Sequence, residues 1–344
     1  ALDDVVVGRG RTVLVTGDVG IGKTTLVRRA AWEASARGLG WIEVSLARSV
    51  GLLRPLLVAL RRSLPTGDDA GTTGVAVDSA TFGPAVNALR TLLRDERRPE
   101  VESRDAAAFA IESLLVALAR RRPIVLAVEG VHGAERDEIG LLRDLARRLR
   151  EHRVLLLLTA RVGPSGEGPG SGSLAPFAEL DDVVRIPLAP FDRETLYGVL
   201  ETVAGVPIAP DVARALIDRS SGNPLLALEL LRHARATGVV VESSLGLRAA
   251  GAASVSSLPV RLVDLFAARV DALPRPEREL LEVAAVDGTT FDGEALAAAL
   301  GRPLLTVLRQ LQRIARETGI LLPRAAGFHF SHSLLRDVLY DGVA

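Results

Sequence analysis

The chain has 344 residues, 48% hydrophobic and 24% charged, with 42 basic against 42 acidic side chains and a formal net charge of +0. That balance offers no overall basic field to a nucleic-acid backbone. The lack of cysteine removes disulfides, thiolate metal sites and thiol catalysis together. Aromatics are only 3%, so the cores are built from Leu, Val and Ala, and the length allows two or three domains. The longest apolar runs, such as Val154–Leu158, fall far short of the roughly 20 residues of a membrane span. The opening ALDDVVVGRG lacks the basic start and long apolar core of a signal peptide. A cytoplasmic protein with no membrane association is expected; with Ala1 first and no methionine, the start of the natural chain is expected to be missing.

In chain order, Thr12–Thr16 reads as a short β-branched strand leading through a glycine-rich loop, Gly17–Gly22, into a helix over Lys23–Arg37. The loop meets G-x-x-x-x-G-K-[ST] at Gly17, Gly22, Lys23 and Thr24, with Gly20 as a further glycine. In that strand-loop-helix setting the pattern is a phosphate cradle. Backbone N–H groups of Gly17, Asp18, Val19, Gly20, Ile21 and Gly22, and of Thr25 at the helix start, are placed to meet phosphate oxygens at the positive end of the helix. Lys23 would reach the β- and γ-phosphates, and the Thr24 hydroxyl would ligate Mg2+. Lys23 is the only lysine, since the other 41 basic residues are arginine (42 − 1). A compact ammonium fits inside such a loop where a planar guanidinium does not.

The next strand is expected at Trp41–Ala47, and helices at Leu52–Ser63, Pro84–Glu96 and Asp105–Arg121. Pro65–Gly83 reads as a mobile surface loop. Strands at Ile124–Val128 and Val154–Thr159 flank a helix at Ile139–Arg150 whose arginines form a solvated face. Continuously apolar strands separated by helices imply a parallel sheet covered on both sides, hence an α/β first domain. Gly163–Ser173 is low-complexity and read as flexible, with a short strand at Val183–Pro187. Short helices follow at Arg193–Val203, Pro210–Ser220 and Pro224–Thr237, then a polar linker. Helices at Pro259–Asp271, Pro276–Val286, Gly293–Ala299 and Leu304–Thr318, strands at Ile320–Leu322 and Phe328–Phe330, and a helix at His332–Tyr340 close the chain. Helices followed by a two-stranded wing suggest a winged helix. The expected domains are 1–189, a nucleotide-binding domain; 190–240, a helical lid; 241–257, a linker; and 258–344, a winged helix.

Four further places could carry chemistry. Glu129 ends its strand, where a carboxylate holds Mg2+ in P-loop proteins, or it is an ordinary strand-end acid. The next residue is Gly130, so no second acid follows to polarise water; Glu135, Asp137 and Glu138 lie downstream. Arg161, after the strand Val154–Thr159, either points at the γ-phosphate from the carboxyl edge of the sheet or is one exposed arginine among many. Asn223-Pro224 reads as a helix cap and first helical residue. His332, between a strand and a helix, reads as a capping or packed residue, and five histidines without H-x-x-x-H spacing give no metal site.

Together GDVGIGKTTLV, PIVLAVEGVHGAE, RVLLLLTAR, RSSGNPLLALELL and GFHFSHSLLRDVLYD resemble STAND-class AAA-like ATPases. The resemblance is to the ATPase core of large LuxR-type transcriptional regulators and, through it, to the Orc1-like AAA module. It implies that Pro224 lines the adenine, Arg161 acts as sensor and His332 contacts the β-phosphate of bound ADP. The family shows two acids where this chain has Glu129-Gly130, a tryptophan at Gly133, and a helix between its V-G-R motif and the loop strand, where Val7-Gly8-Arg9 runs directly toward Thr12. It also continues into helical repeats and a DNA-binding helix-turn-helix.

The expected function is an ATP/ADP-dependent, Mg2+-requiring signal-transduction switch in which nucleotide exchange opens the domains and permits self-association, with slow hydrolysis at most. No direct nucleic-acid binding by this segment is expected. The rival readings are a scaffold that binds nucleotide without hydrolysing it and, from another class, a small-molecule phosphotransferase, which needs a general base the sequence does not display.

Overall fold

The computed structural model describes residues 1–46, 52–63, 101–161, 174, 177, 180, 182–251, 258–259, 261–324 and 327–342. The loop expected at Pro65–Gly83, the helix expected at Pro84–Glu96 and the segment Gly163–Ser173 lie outside those residues. The chain divides into two units, Ala1–Ala189 and Pro190–Ala344.

The first unit opens with a short helix, α1 (Leu2–Val6), that the sequence reading left unassigned. Its acids hold it down, Asp4 pairing with Arg11 at 2.9 Å and Asp3 with Arg37. Then come β1 (Arg11–Gly17), α2 (Lys23–Ala36), β2 (Gly40–Ser45), α3 (Leu53–Arg62), α4 (Val101–Ala119), β3 (Ile124–Glu129), α5 (Arg136–Arg148), β4 (Val154–Arg161) and β5 (Val183–Pro187). Asp105, expected to cap its helix, lies inside α4, which begins four residues earlier.

The five strands pair in parallel in the order β2-β3-β4-β1-β5. This is the P-loop NTPase-like fold expected from the sequence, and the reason is visible in the burial. Along β1 the side chains alternate between two cores. Val13 and Val15 join Val125, Ala127, Leu155 and Leu157 beneath α2, while Leu14 joins Leu126, Leu156 and Leu158 beneath α4 and α5. Both faces are therefore apolar, which is why β3 and β4 read as unbroken hydrophobic runs.

All strand C-termini emerge at one edge. Val7-Gly8-Arg9 precedes β1 at the opposite edge, roughly 20 Å from the glycine loop at about 3.3 Å per strand residue, so this segment does not line the loop. Gly10 is clamped at that far edge, its N–H donating to Arg150 O at 2.9 Å. A small cavity of about 160 Å³ lies there too, and two of its lining arginines, Arg11 and Arg150, are already paired with Asp4 and Asp182.

The second unit begins with α6 (Arg193–Ala204), α7 (Pro210–Ser220) and α8 (Pro224–Ala236). The expected linker, 241–257, is corrected in part. Val240–Ser243 and Gly246–Ala249 form an antiparallel hairpin, β6-β7. Polarity and small residues hid it, but Val240 and Leu247 are buried, and Leu247 exchanges backbone bonds with Pro207 and Ala209 at 2.8 and 2.9 Å. Residues 252–257 lie outside the described set. After them come α9 (Leu262–Asp271), α10 (Arg275–Asp287), β8 (Thr290–Phe291), α11 (Gly293–Leu300), α12 (Leu304–Thr318), β9 (Leu321–Arg324), β10 (Gly327–Phe330) and α13 (Ser333–Asp341). The last strands form an antiparallel sheet in the order β8-β10-β9, whose first strand the sequence reading missed because it is two residues long.

Leu258 and Leu265 pack in one core with α6, α7 and α8. Buried Glu229 on α8 pairs with Arg269 on α9 at 3.2 Å. Removing one partner of such a pair leaves a buried charge without its counter-charge.

Gly10 gives a test of the fold. A Cβ there would stand 1.9 Å from Leu149 O, and backbone cannot move aside as a side-chain end can. Gly10→Ala is expected to destabilise the chain by roughly 3 kcal/mol, the upper range of overpacking costs, measured as a lower denaturant midpoint at unchanged slope.

Candidate functional site

The carboxyl edge of the first sheet collects most of the residues singled out from the sequence. Parallel register places Gly17 beside Arg161, Thr159 beside Glu129, and Glu129 beside Ser45. Between β1 and α2 runs the loop of Asp18, Val19, Gly20 and Ile21, turning into α2 at Gly22. Gly22 is the N-cap at φ +113°, a conformation that favours glycine, and no side chain caps the helix. The first-turn N–H groups of Lys23, Thr24 and Thr25 are thus directed at whatever occupies the loop, at the positive end of a 14-residue helix.

Lys23 Nζ lies over this loop, donating to Gly17 O at 2.9 Å and Asp18 O at 2.7 Å. Burial first, and then the neighbouring Arg161 charge, lower its pKa to about 8 against the opposing charges of Asp18 and Glu129. Thr24 Oγ1 donates to Glu129 Oε2 at 2.7 Å. Thr24 and Glu129 are 105 residues apart in sequence, and their oxygens now form one hard-donor pair of the kind that suits Mg2+. Burial raises the Glu129 pKa, and the nearby Glu43 carboxylate adds to the rise; Thr24 and Arg28 oppose it.

Gly130 has φ +81°, and its N–H donates to Thr159 Oγ1 at 3.1 Å and Thr159 O at 3.0 Å. The chain therefore leaves β3 in a left-handed turn where a side-chain-bearing acid is strained. Of the downstream acids, Glu135 and Glu138 are engaged in the capping box of α5. His132, within the same turn, accepts from Arg161 N–H through Nδ1 at 3.3 Å.

Two residues of the edge were missed in the sequence. Glu43 is flagged by nothing local, and its relevance comes only from β2 lying next to β3. Arg28 follows Thr24 by four residues, one helical turn along α2, a signal available from helical spacing.

Pro224 and His332 belong to the second unit. Pro224 is the first residue of α8, with Asn223 Oδ1 accepting from Leu226 N at 3.1 Å. His332 is the N-cap of α13, and its ring stacks on Phe266 with centroids 5.8 Å apart.

Residues 1–158 match the AAA ATPase domain family. This part of the chain is an AAA-like ATPase core. An uncharacterized protein of Rhizobium meliloti (strain 1021) is 26% identical to the chain over 364 residues, covering 99% of this chain and 34% of that protein. A crystal structure of a signal transduction ATPase with numerous domains (STAND), carrying a tetratricopeptide repeat sensor, from Pyrococcus horikoshii, superposes with TM-score 0.53 at 16% identity. That match covers 99% of this chain and 41% of that one. The Aeropyrum pernix ORC2 protein, solved in ADPNP-ADP complexes, gives TM-score 0.42 at 16% identity, with 99% and 90% covered. The chain thus spans about a third of the Rhizobium relative and two fifths of the Pyrococcus protein. The AAA-like core is a nucleotide-binding one, and its oxygen donors fit the Mg2+ that usually accompanies the nucleotide.

Lys23 also sets the pH dependence of binding. Its ammonium attracts phosphate only when protonated, so with a free-state pKa of about 8 its contribution to affinity is full below that value and falls above it. For ADP in EDTA, Kd is expected to be tightest between about pH 7 and 8, where the terminal phosphate is ionised and Lys23 is still protonated, and to weaken by up to about tenfold per pH unit above 8. Isothermal titration across that range checks it, and Lys23→Met should give a weak profile, flat above pH 8.

Proposed function

We propose that the chain is the nucleotide-operated switch of a larger regulator of the LuxR-type STAND class, in which ADP holds a closed state and exchange for ATP opens it and permits self-association. The observation that carries this reading is the Thr24–Glu129 bond at 2.7 Å beside Lys23, which joins the loop to the acid strand at one cation-binding point. We assign Arg161 as the γ-phosphate sensor because it stands next to Gly17 and its charge acts on Lys23. Residues 190–240 are read as a lid, with Pro224 lining the adenine. The helices and strands from 258 onward are read as a winged helix, with His332 contacting the β-phosphate of ADP.

The chemistry available to these residues is positioning and charge stabilisation. The loop N–H groups and Lys23 bind the β- and γ-phosphates, and Thr24 and Glu129 hold the Mg2+ that neutralises charge developing on the phosphoryl oxygens. With Gly130 supplying no side chain, water activation is slow, and hydrolysis resets the switch rather than driving steady turnover.

Purified protein, denatured and chromatographed, is expected to release near-stoichiometric ADP, and added ATP with Mg2+ to yield phosphate slowly. At nucleotide concentrations about 100 times Kd, thermal unfolding should show stabilisation by about 2.7 kcal/mol, lost in Lys23→Ala. Unchanged ATP affinity in that variant would overturn the reading, and stable binding with no phosphate release would leave a non-hydrolysing scaffold. His332→Ala should speed ADP dissociation by about tenfold or more, as expected for one charge-assisted hydrogen bond.

A further inference from the structure

The carboxyl edge holds an acid to which the proposed mechanism gives no role. β2 and β3 pair with Ser45 beside Glu129 and Glu43 beside Ala127. Strand alternation puts Glu43, Ala127 and Glu129 on the same face of the sheet. That face is the one α2 covers, since Trp41, Val125 and Ala127 share a core with Val27 and Ala34. Side chains one diagonal step apart on paired strands lie within reach when they are long, and the register sets Glu43 one such step from Glu129, close enough for its charge to act on Glu129. Glu43 is held from its other side, Trp41 Nε1 donating to Oε2 at 3.1 Å. Each carboxylate thus has a donor of its own, Trp41 Nε1 for Glu43 and the Thr24 hydroxyl, at 2.7 Å, for Glu129.

Two carboxylates on one face of neighbouring strands repel one another, and a hard divalent cation bound through oxygen relieves that repulsion. P-loop sites take one or two carboxylates for this purpose, often through retained water. The residue after Glu129 does not provide the second, because it is Gly130, which has no side chain.

We propose that Glu43 is a positioning residue for the divalent cation of the nucleotide site, holding Glu129 and the water around the cation from the neighbouring strand. The assignment rests on the nucleotide reading above. It makes the second acid of this site a product of strand order, where the sequence offers none after Glu129.

The test separates nucleotide binding from cation binding. A fluorescent ADP analogue is titrated into wild type, Glu43→Gln and Trp41→Phe in EDTA, and then over a Mg2+ series at fixed nucleotide. Affinity in EDTA should stay within about twofold in both variants. The Mg2+ concentration giving half the maximal effect should rise about tenfold in Glu43→Gln, as for loss of a group that orients a metal ligand, and by a smaller factor in Trp41→Phe. Without nucleotide, Glu43→Gln should unfold at a temperature no lower than wild type, since a repulsion has been removed. An unchanged Mg2+ midpoint in Glu43→Gln overturns the assignment while leaving the nucleotide reading intact. Equal loss of affinity with and without Mg2+ marks a merely structural role and also overturns it. A wild-type protein that binds no nucleotide overturns the nucleotide reading and this assignment with it.

Discussion

Parallel register at one sheet edge is the constraint on which everything else here depends. Because each strand of the first unit runs the same way, the ends of β2, β3, β4 and β1 stand in a row, and with them Ser45, Glu129, Arg161 and Gly17. Helix α2 starts from the same row, so Thr24 meets Glu129 although 105 residues separate them. A slip of one residue in β3 would turn Glu129 to the opposite face. What prevents it is burial on both faces: every residue of β3 before Glu129, and of β4 before Arg161, is buried, so a slip would drive each apolar side chain into the wrong core.

The half-buried edge makes the site electrostatically demanding. Burial drives Lys23 down and Glu129 up, both toward their neutral forms. In the proposed site the charged forms would be recovered by counter-charges of the right kind, phosphate for the ammonium and a divalent cation for the carboxylate. The low dielectric that makes Lys23 costly to keep charged also strengthens its attraction to an anion. Lysine survives only at this position in an otherwise arginine-based chain, in keeping with the small, strongly hydrated charge such a loop can enclose.

Legibility varied with the kind of signal. β5, α7 and α12 fell where periodicity and caps placed them, since their apolar spacing and flanking Pro or Gly are local. β6, β7 and β8 were missed because short strands of mixed polarity are defined by partners: Leu247 is buried through its bonds to Pro207 and Ala209, not by any pattern of its own. Helix α1 was missed because five residues carry almost no periodicity, and ion pairs to Arg11 and Arg37 hold it. Among site residues, Lys23 and Thr24 were legible because their chemistry is packed into one loop. Glu43 was not, because its meaning lies in which strand sits beside it.

The sequence alone determined the phosphate loop, the alternation of strands and helices, and hence a covered parallel sheet, because glycine spacing and hydrophobic period act over a few residues. Only the tertiary structure decided that Thr24 bonds Glu129, that Gly130 closes a left-handed turn without a second acid, and that Glu43 stands next to the acid strand. Those relations depend on strand order and register, which are set by long-range burial and are written in no single stretch of the chain.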